Sequence, residues 1–261
     1  MANSNSLAHI NARFAHQNKR TRATHLAHTA PLKIARTWPR ADGGLDVCLM
    51  DASPGLLAGD HYSLDFTLET GARVAVTTQG FTRVHPALES GCVLQTRLQV
   101  GEGAVLEWLP EPLMLYAGAS LKAQTNVELA PGATLIASEI WCAGRVGRGE
   151  CFDFHRFENR WNVQRNSAPI FASALDLRPS QFEPRQLGAW HSWTHGGNFW
   201  VWGEADWLEP FWQIIENQSA VYAGASPIEG GVAVSMLGHR AHDLSELTRL
   251  LRAAAVKLRA L

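Results

Sequence analysis

The sequence predicts an all-β protein, with a β-helical or two-sheet sandwich-like body of stacked hairpin repeats and a C-terminal α-helix. Three observations support this fold class: apolar and polar residues alternate through residues 45–165, a glycine-alanine turn recurs, and about 244–260 has a helical apolar pattern. A chain of 261 residues can bury the core of one large domain. We therefore predict a flexible leader, 1–30, followed by a single β domain, 31–261.

The leader is predicted to be mobile because it is polar and shows no steady period. It contains four histidines, His9, His16, His25 and His28. Neutral imidazole suits nickel and zinc, so two interpretations stay open: a solvated tail with incidental histidines, or a segment that folds around a divalent metal. Neither this segment nor any later one has an apolar run typical of a signal peptide or membrane helix, so we expect a cytoplasmic protein.

The β body contains an internal repeat in which a turn joins two strand-like runs. The turns contain Gly71, Gly103 and Gly132, about 30 residues apart, and each glycine is followed by alanine. Glycine accepts positive φ, and Pro131-Gly132 fits the centre of a type II turn. Each copy should be a hairpin-like unit with one apolar face, so neighbouring copies should stack. A solenoid and a meander within a β-sandwich stay open as alternatives.

The apolar positions of the three copies coincide when the copies are aligned on the turn glycine. Phe66, Leu98 and Val127 then occupy one shared position, five residues before each glycine. The alignment predicts that these three side chains cover one another in the stack.

Residues after 180 form a tryptophan-rich stretch. Its members are Trp190, Trp193, Trp200, Trp202, Trp207 and Trp212. Tryptophans of this kind either fill a core or mark a partner interface. We favour core filling, because large apolar patches are uncommon on the surface of a soluble protein.

The C-terminal helix is predicted over about 244–260. Asp243 and Glu246 resemble a capping box at its start. Leu244, Leu247 and Leu251 fall on one apolar face. We expect this face to pack on the β body, since most helices in proteins are stabilised by burying such a stripe.

Charge and motifs exclude several classes of function. Lysine and arginine total 23 against 24 aspartate and glutamate, so no charge excess favours nucleic acid or an anionic membrane. The sequence has no phosphate-binding loop, complete dinucleotide fingerprint, nucleophile elbow, H-E-x-x-H motif or paired C-x-x-C site. The cysteines are scattered and are interpreted as reduced structural thiols. The sequence therefore predicts a protein that is not an enzyme.

Glu139 differs from the other carboxylates because apolar residues flank it on both sides. An unpaired charge in such a segment is costly. One interpretation is a buried ion pair with a nearby arginine, and the candidates are Arg145, Arg148 and Arg160. The other is that Glu139 faces an internal wet channel. We favour the ion pair.

An ordered set of strings runs through the chain: Pro31-Leu32-Lys33, Gly55-Leu56-Leu57-Ala58-Gly59-Asp60, Thr77-Thr78-Gln79-Gly80-Phe81-Thr82-Arg83-Val84, Leu106-Glu107-Trp108-Leu109-Pro110-Glu111-Pro112, Glu139-Ile140-Trp141-Cys142-Ala143-Gly144-Arg145 and Arg148-Gly149-Glu150. Their order and spacing resemble the hallmarks of the UreD (UreH) family of urease accessory proteins, over roughly two-thirds of the chain. The resemblance implies a β-helical or sandwich-like body. It also implies a complex with UreF, UreG and the urease apoprotein subunits, with a dimer within that complex left open.

The resemblance further implies a metallochaperone role, in which the protein is a scaffold and nickel conduit. Carried over residue by residue, it makes Asp60, Thr78, Thr82, Glu139 and Glu150 candidate tunnel-lining groups. They would contact Ni²⁺ in transit, and no permanently bound cofactor is expected. Carboxylates and hydroxyls suit a conduit, because weak successive sites release an ion that a thiolate and imidazole cage would trap.

Two alternatives stay open. A carbohydrate-binding or hydrolytic β-solenoid would need exposed, coplanar tryptophans, or two facing carboxylates for hydrolysis. A UreD-like interaction protein without metal transfer is suggested by Ser173-Ala174, where the family tends to have an acidic residue followed by arginine.

Overall fold

The computed structural model describes residues 7–87, 91–181, 183–187 and 189–259. The first sheet has seven strands, in the spatial order β14 (Ala168–Leu177), β13 (Arg156–Arg165), β11 (Ser120–Leu129), β8 (Cys92–Val100), β5 (His61–Leu68), β1 (Leu7–Gln17) and β2 (Arg20–His28).

The second sheet has ten strands. Eight follow the spatial order β16 (Val221–Ile228), β17 (Gly231–Gly238), β15 (His195–Trp202), β12 (Thr134–Cys142), β9 (Val105–Trp108), β6 (Arg73–Thr78), β4 (Leu45–Asp51) and β3 (Leu32–Pro39). The other two are β7 (Thr82–Val84) and β10 (Leu113–Leu115), which pair with each other, and β10 also pairs with β12. Two α-helices, α1 (Leu208–Glu216) and α2 (Ala241–Arg259), occur in the described residues, and neither has the length and apolar character needed to span a bilayer.

Three turns, at residues 69–72, 101–104 and 130–133, carry the chain from the first sheet to the second. Consecutive units then lie side by side, with β5, β8 and β11 paired in the first sheet and β6, β9 and β12 in the second. All of these pairings are parallel. The body is therefore a β-solenoid-like stack, which confirms the predicted fold class and selects the solenoid over the meander.

The two strands of a unit do not form the predicted hairpin, because they lie in different sheets. The turns hydrogen-bond to the next unit instead: the amide of Gly71 donates to the carbonyl of Glu102 at 2.9 Å, and Gly103 to Pro131 at 3.2 Å. Gly132 has a φ of 65°, which suits the third residue of a type II turn. The hairpin prediction is wrong because each turn carries the chain from one sheet to the other. A hairpin turn would instead reverse the chain within one sheet.

The predicted coincidence of apolar positions is confirmed. Phe66 pairs with Leu98, and Leu98 pairs with Val127, across three neighbouring parallel strands. All three side chains are buried between the sheets. In-register stacking therefore converts a sequence repeat into a continuous apolar column.

The predicted flexible leader is wrong for residues 7–28, which form β1 and β2. Strand β1 pairs in parallel with β5, and alternate residues from Ala8 to Phe14 are buried in the core. Asn18 and Lys19 connect β1 to β2 with φ angles of 51° and 63°, as a type I′ hairpin turn requires. Residues 1–6 of the predicted leader lie outside the described residues.

The histidines of this segment lie along β1 and β2. His9 bonds to the hydroxyl of Thr29, and His16, His25 and His28 are exposed. The described part of the chain has no group of three or more histidine, cysteine or acidic residues that could hold a metal. The arrangement therefore gives no support to a metal site built from these histidines.

The tryptophan-rich stretch fills the core, as favoured from the sequence. Four of its members are buried, namely Trp190, Trp200, Trp202 and Trp207. Helix α2 packs its apolar face, including Leu244, Leu247 and Leu251, against the second sheet, which confirms the expected docking.

Helix α2 begins three residues before the predicted start. Asp243 consequently lies in the first turn of the helix and is not its N-cap. Its carboxylate accepts a 2.7 Å hydrogen bond from Arg240, which immediately precedes the helix. The helix N-terminus favours a negative charge within its first turn, so Asp243 is well placed there without capping.

Candidate functional site

A cavity of about 380 Å³ lies between the two sheets. Its wall includes Thr78, Thr82 and Glu139 from the five predicted tunnel residues. It reaches the surface beside Gln79 and Phe81, which line the cavity and are exposed. The solenoid positions this space because inward-facing side chains of β5, β8, β11 and β13 oppose those of β4 and β12.

Glu139 projects from β12 into the inner end of the cavity. Its Oε2 accepts hydrogen bonds from Asn159 Nδ2 at 2.8 Å and from Trp161 Nε1 at 2.7 Å. Its Oε1 accepts one from Asn198 Nδ2 at 3.0 Å. Burial raises the pKa of Glu139, and the three hydrogen bonds oppose that shift. Glu139 is thus held by neutral donors alone among the described residues.

The predicted ion pair between Glu139 and a nearby arginine is wrong. Arg145 instead bonds to Glu150, and Arg160 bonds to Glu158 at 2.9 Å. The donors to Glu139 belong to β13 and β15. Both strands follow Glu139 at a distance in the sequence, and the fold brings them next to it. The position of Glu139 on the cavity wall agrees with the alternative of an internal channel.

Thr78 shapes the surface end of the cavity. Its hydroxyl donates to the carbonyl of Gly80 at 3.2 Å and accepts from the amide of Glu111 at 2.9 Å. Thr82 is anchored nearby through its own amide, which donates to the carbonyl of Pro112 at 3.0 Å. These bonds fix the turn between β6 and β7 against the segment before β10.

Asp60 does not line this cavity. It is buried in the loop before β5, where its Oδ2 accepts a 2.8 Å hydrogen bond from the amide of Leu57. Burial raises the pKa of the Cys92 thiol to about 12, and the nearby Asp60 adds to the shift. Asp60 therefore closes its own loop and lies away from the proposed route.

Glu150 also lies away from the cavity wall. Its carboxylate pairs with Arg145, whose guanidinium stacks at 4.2 Å from the ring centroid of Tyr116. The amide of Ala117 donates to the same carboxylate at 3.3 Å. The hydrogen bond from Arg145 is the main cause that lowers the pKa of Glu150. These contacts join two surface loops.

A second carboxylate of the cavity wall, Asp51, was missed from the sequence. Its Oδ1 accepts from the amide and the hydroxyl of Ser53, at 2.8 and 2.6 Å, and its Oδ2 accepts from the Tyr62 hydroxyl at 3.2 Å. Burial raises the pKa of Tyr62, which keeps the phenol protonated as a donor. An aspartate two residues before a serine at a strand end is the signal of an Asx-type turn.

Three buried hydroxyl residues on the cavity wall were also missed. Thr96, Thr125 and Ser138 are 5%, 8% and 3% exposed. All three residues line the cavity. Hydroxyls on the wall of an internal cavity can bind water or the water shell of a cation. A Thr or Ser within an apolar strand does not by itself indicate a cavity-lining residue, because only the strand register shows which way its side chain faces.

The arrangement offers oxygen ligands spread along a cavity rather than gathered in one place. The carboxylates on its wall are Asp51, Glu111 and Glu139, and Arg83 also lines it. No compact group of three potential ligands occurs in the described residues. Such a surface can attract a hydrated cation and hold it weakly at each point.

Comparison with known proteins identifies the family. The chain matches the model of the UreD urease accessory protein family over residues 6–260. It is 32% identical over 215 residues to the urease accessory protein UreD of Natronomonas pharaonis, covering 80% of this chain and 72% of that protein. It is 30% identical over 230 residues to UreD of Actinobacillus pleuropneumoniae, covering 83% and 85%. It is 26% identical over 222 residues to the urease accessory protein UreH of Helicobacter hepaticus, covering 85% and 87%. This chain therefore belongs to the UreD family of urease accessory proteins.

Proposed function

We propose that the chain acts in urease maturation as a non-catalytic scaffold and nickel conduit, with Ni²⁺ passing through the cavity between the sheets. The observation that carries the proposal is Glu139, a part-buried carboxylate on the cavity wall whose described partners are all neutral. A charge withdrawn from bulk water without an opposite charge beside it is costly. A passing divalent cation would compensate it.

The bonding of Glu139 favours transit over storage. Both of its oxygens already accept hydrogen bonds, so a cation must compete with donors from Asn159, Trp161 and Asn198. The hydroxyls of Thr78 and Thr82 add only weak oxygen ligands. A conduit needs this weakness, because an ion must leave each site as readily as it enters.

The proposal takes its partners from the family. The named relatives are urease accessory proteins, and the family resemblance implies UreF, UreG and the urease apoprotein subunits as the complex in which the chain works. A dimer within that complex is compatible with the proposal. The expected place of action is the cytoplasm.

The carbohydrate-binding alternative loses support from the tryptophan-rich stretch. It required exposed tryptophans, whereas Trp200 and Trp202 are buried between the sheets. The alternative of an interaction protein without metal transfer remains distinct from the proposal. Ser173 pairs with Trp161 across β13 and β14 and does not line the cavity. The experiment below separates this alternative from the conduit.

The test is nickel incorporation into urease matured in cells that supply the full set of accessory proteins. Glu139→Gln keeps the side-chain shape, Glu139→Ala removes it, and Glu102→Gln changes an exposed turn carboxylate as the matched control. We expect both Glu139 variants to co-purify with UreF and to lower the nickel content of urease several-fold. The control should match the wild type.

Normal nickel content in both Glu139 variants, with the complex assembled, would overturn the conduit and favour an interaction protein. Loss of UreF binding in both variants would also overturn it, because Glu139 would then act in assembly. Reduced nickel with intact assembly supports the proposal.

A further inference from the structure

We infer that Asp51 forms a second cation-binding station in this cavity, joined to Glu139 by the hydroxyls of Thr96, Thr125 and Ser138. The ligand is a hydrated divalent cation. The inference rests on the proposed conduit and adds a route through it. The path begins near the surface opening at the end of β4 and ends at β12 and β13.

The strand register places the two carboxylates at opposite ends of the cavity. Asp51 is bonded to Tyr62 of β5, and Glu139 is bonded to Asn159 and Trp161 of β13. Strands β8 and β11 lie between β5 and β13. Three strand spacings of about 4.8 Å separate the two ends by roughly 14 Å. A cation that visits both must therefore have intermediate contacts.

Hydroxyls occupy the intervening strands on the same face. Thr96 of β8 pairs directly with Thr125 of β11, and Thr125 pairs in turn with Trp161 of β13. Ser138 precedes Glu139 in β12 and also lines the cavity. Each of these three hydroxyl residues is more than nine-tenths buried and lines the cavity. They are available to the water shell of a cation.

Asp51 resembles Glu139 in the neutral character of its hydrogen-bond partners. Both carboxylates accept hydrogen bonds from neutral groups, and neither has an ion-pair partner within the described ranges. Ser53 orients Asp51 through two bonds from the same residue, so its second oxygen is free to share between Tyr62 and a ligand. Ser53 and Tyr62 are therefore positioning residues for this station.

The experiment uses the complete set of accessory proteins and measures urease activation against nickel concentration. The test variants are Asp51→Asn, which removes the charge, and Thr125→Val, which removes the hydroxyl at nearly the same shape. Asp65→Asn is the control, since Asp65 lies on the neighbouring strand β5, does not line the cavity and faces Arg97. Thermal denaturation of each purified complex checks the fold.

We expect Asp51→Asn to raise the nickel concentration for half-maximal activation at least threefold, because the charge gathers cations at the opening. Thr125→Val should lower the rate of activation even at saturating nickel. The control should leave both quantities unchanged. Ser53→Ala provides a milder test that keeps the carboxylate, with a smaller shift in the same direction as Asp51→Asn.

The outcomes separate this inference from the conduit itself. A defect in Glu139→Gln with normal Asp51→Asn and Thr125→Val would overturn the second station and leave the conduit standing. Normal behaviour of all three would overturn both. If Asp51→Asn does not fold, Ser53→Ala and Thr125→Val decide the test. Normal nickel dependence in both of those variants would overturn the inference.

Discussion

The indole Nε1 of Trp161 donates a 2.7 Å hydrogen bond to Oε2 of Glu139 and thereby joins the two sheets at the inner end of the cavity. Trp161 belongs to β13 of the first sheet and Glu139 to β12 of the second. The bond replaces the arginine partner expected from the sequence by a neutral donor. It makes the stability of the sheet packing depend on the same group that is proposed to meet nickel.

Trp161→Phe should lower the free energy of unfolding by about 1–3 kcal/mol, because the part-buried Glu139 carboxylate loses one of its donors. Urea denaturation of the purified protein measures the change. Trp38→Phe is the control, since Trp38 is 39% exposed and lies at the surface beside Arg36. Equal stability of the two variants would show that the Trp161 bond contributes nothing net.

Loss of the Glu107 side chain should lower the free energy of unfolding more than loss of a surface carboxylate. It is 2% exposed and accepts 2.6 Å hydrogen bonds from Arg40 and from Arg252 of helix α2. Glu107→Ala removes this partner from both guanidinium groups, although Arg40 keeps Asp42 at 2.9 Å and Arg252 is 39% exposed. We therefore expect a loss of about 1.5–3 kcal/mol in unfolding free energy. Glu246→Ala removes a surface pair with Arg249 and should change it by less than about 1 kcal/mol. Similar losses would show that the Glu107–Arg252 contact adds no more to stability than a surface ion pair.

Helix α2 should be required for a soluble protein. Truncation after His242 removes Leu244, Leu247 and Leu251 and exposes the apolar surface of the second sheet that they cover. We expect the truncated chain to accumulate in the insoluble fraction or to lose partner binding. The soluble yield and the co-purification of UreF measure these effects. A soluble and fully active truncation would show that the helix is dispensable.

A single substitution tests the same helix without deleting it. Leu251→Ala should lower the free energy of unfolding by about 2–5 kcal/mol, because it leaves a cavity at a fully buried position. Arg249→Ala, on the exposed side of α2, should change it by less than about 1 kcal/mol. Urea denaturation of both variants provides the comparison.

Stability should fall in mild acid because of His195. This histidine is buried, its Nδ1 lies 2.9 Å from the Thr194 hydroxyl, and burial lowers its pKa below the ordinary value. The unfolded chain therefore takes up the proton first as pH falls below about 6.5, which lowers the free energy of unfolding until the folded protein is also protonated.

The expected measurement is the difference in unfolding free energy between pH 7.5 and pH 5.5. The decrease should be smaller in His195→Gln than in the wild type, whereas His25→Gln, at an exposed position of β2, should retain the wild-type decrease. An unchanged decrease in His195→Gln would assign the acid sensitivity to other groups.

The stacked body could be predicted because its signal is local. Gly71, Gly103 and Gly132 recur at nearly constant spacing, and positive φ at a turn strongly favours glycine. The paired column of Phe66, Leu98 and Val127 follows from the same alignment. The repeat alone does not show that each turn crosses between the sheets. The sequence of an isolated turn does not specify which acceptors its backbone amides bond to.

The N-terminal strands could not be predicted from hydrophobicity alone. Strand β1 buries Ala8, Ile10, Ala12 and Phe14, but two of the four are alanines and polar residues separate them. The hairpin turn uses Asn18 and Lys19 without glycine. The strand is stabilised by its position between β2 and β5, which is a tertiary effect.

Part of the cavity wall could be named from the sequence, whereas the role of those residues stays a prediction. Thr78, Thr82 and Glu139 were named from the family strings and do lie on the cavity wall. Asp60 and Glu150 were named in the same way and are placed elsewhere, each satisfied by its own loop contacts. Asn159 and Asn198 could not be connected to Glu139 from sequence, because strand pairing brings together residues that are far apart along the chain.

The parallel, in-register stack has a consequence for how such a cavity can change. Each repeat unit contributes one strand to each sheet, so the length of the cavity is set by the number of units and changes in steps of about 4.8 Å. Duplication or loss of one unit of about thirty residues would lengthen or shorten the cavity by one step while the turns continue to stack. Because the repeat units interact mainly with their neighbours, such a change would leave the contacts at both ends of the stack in place.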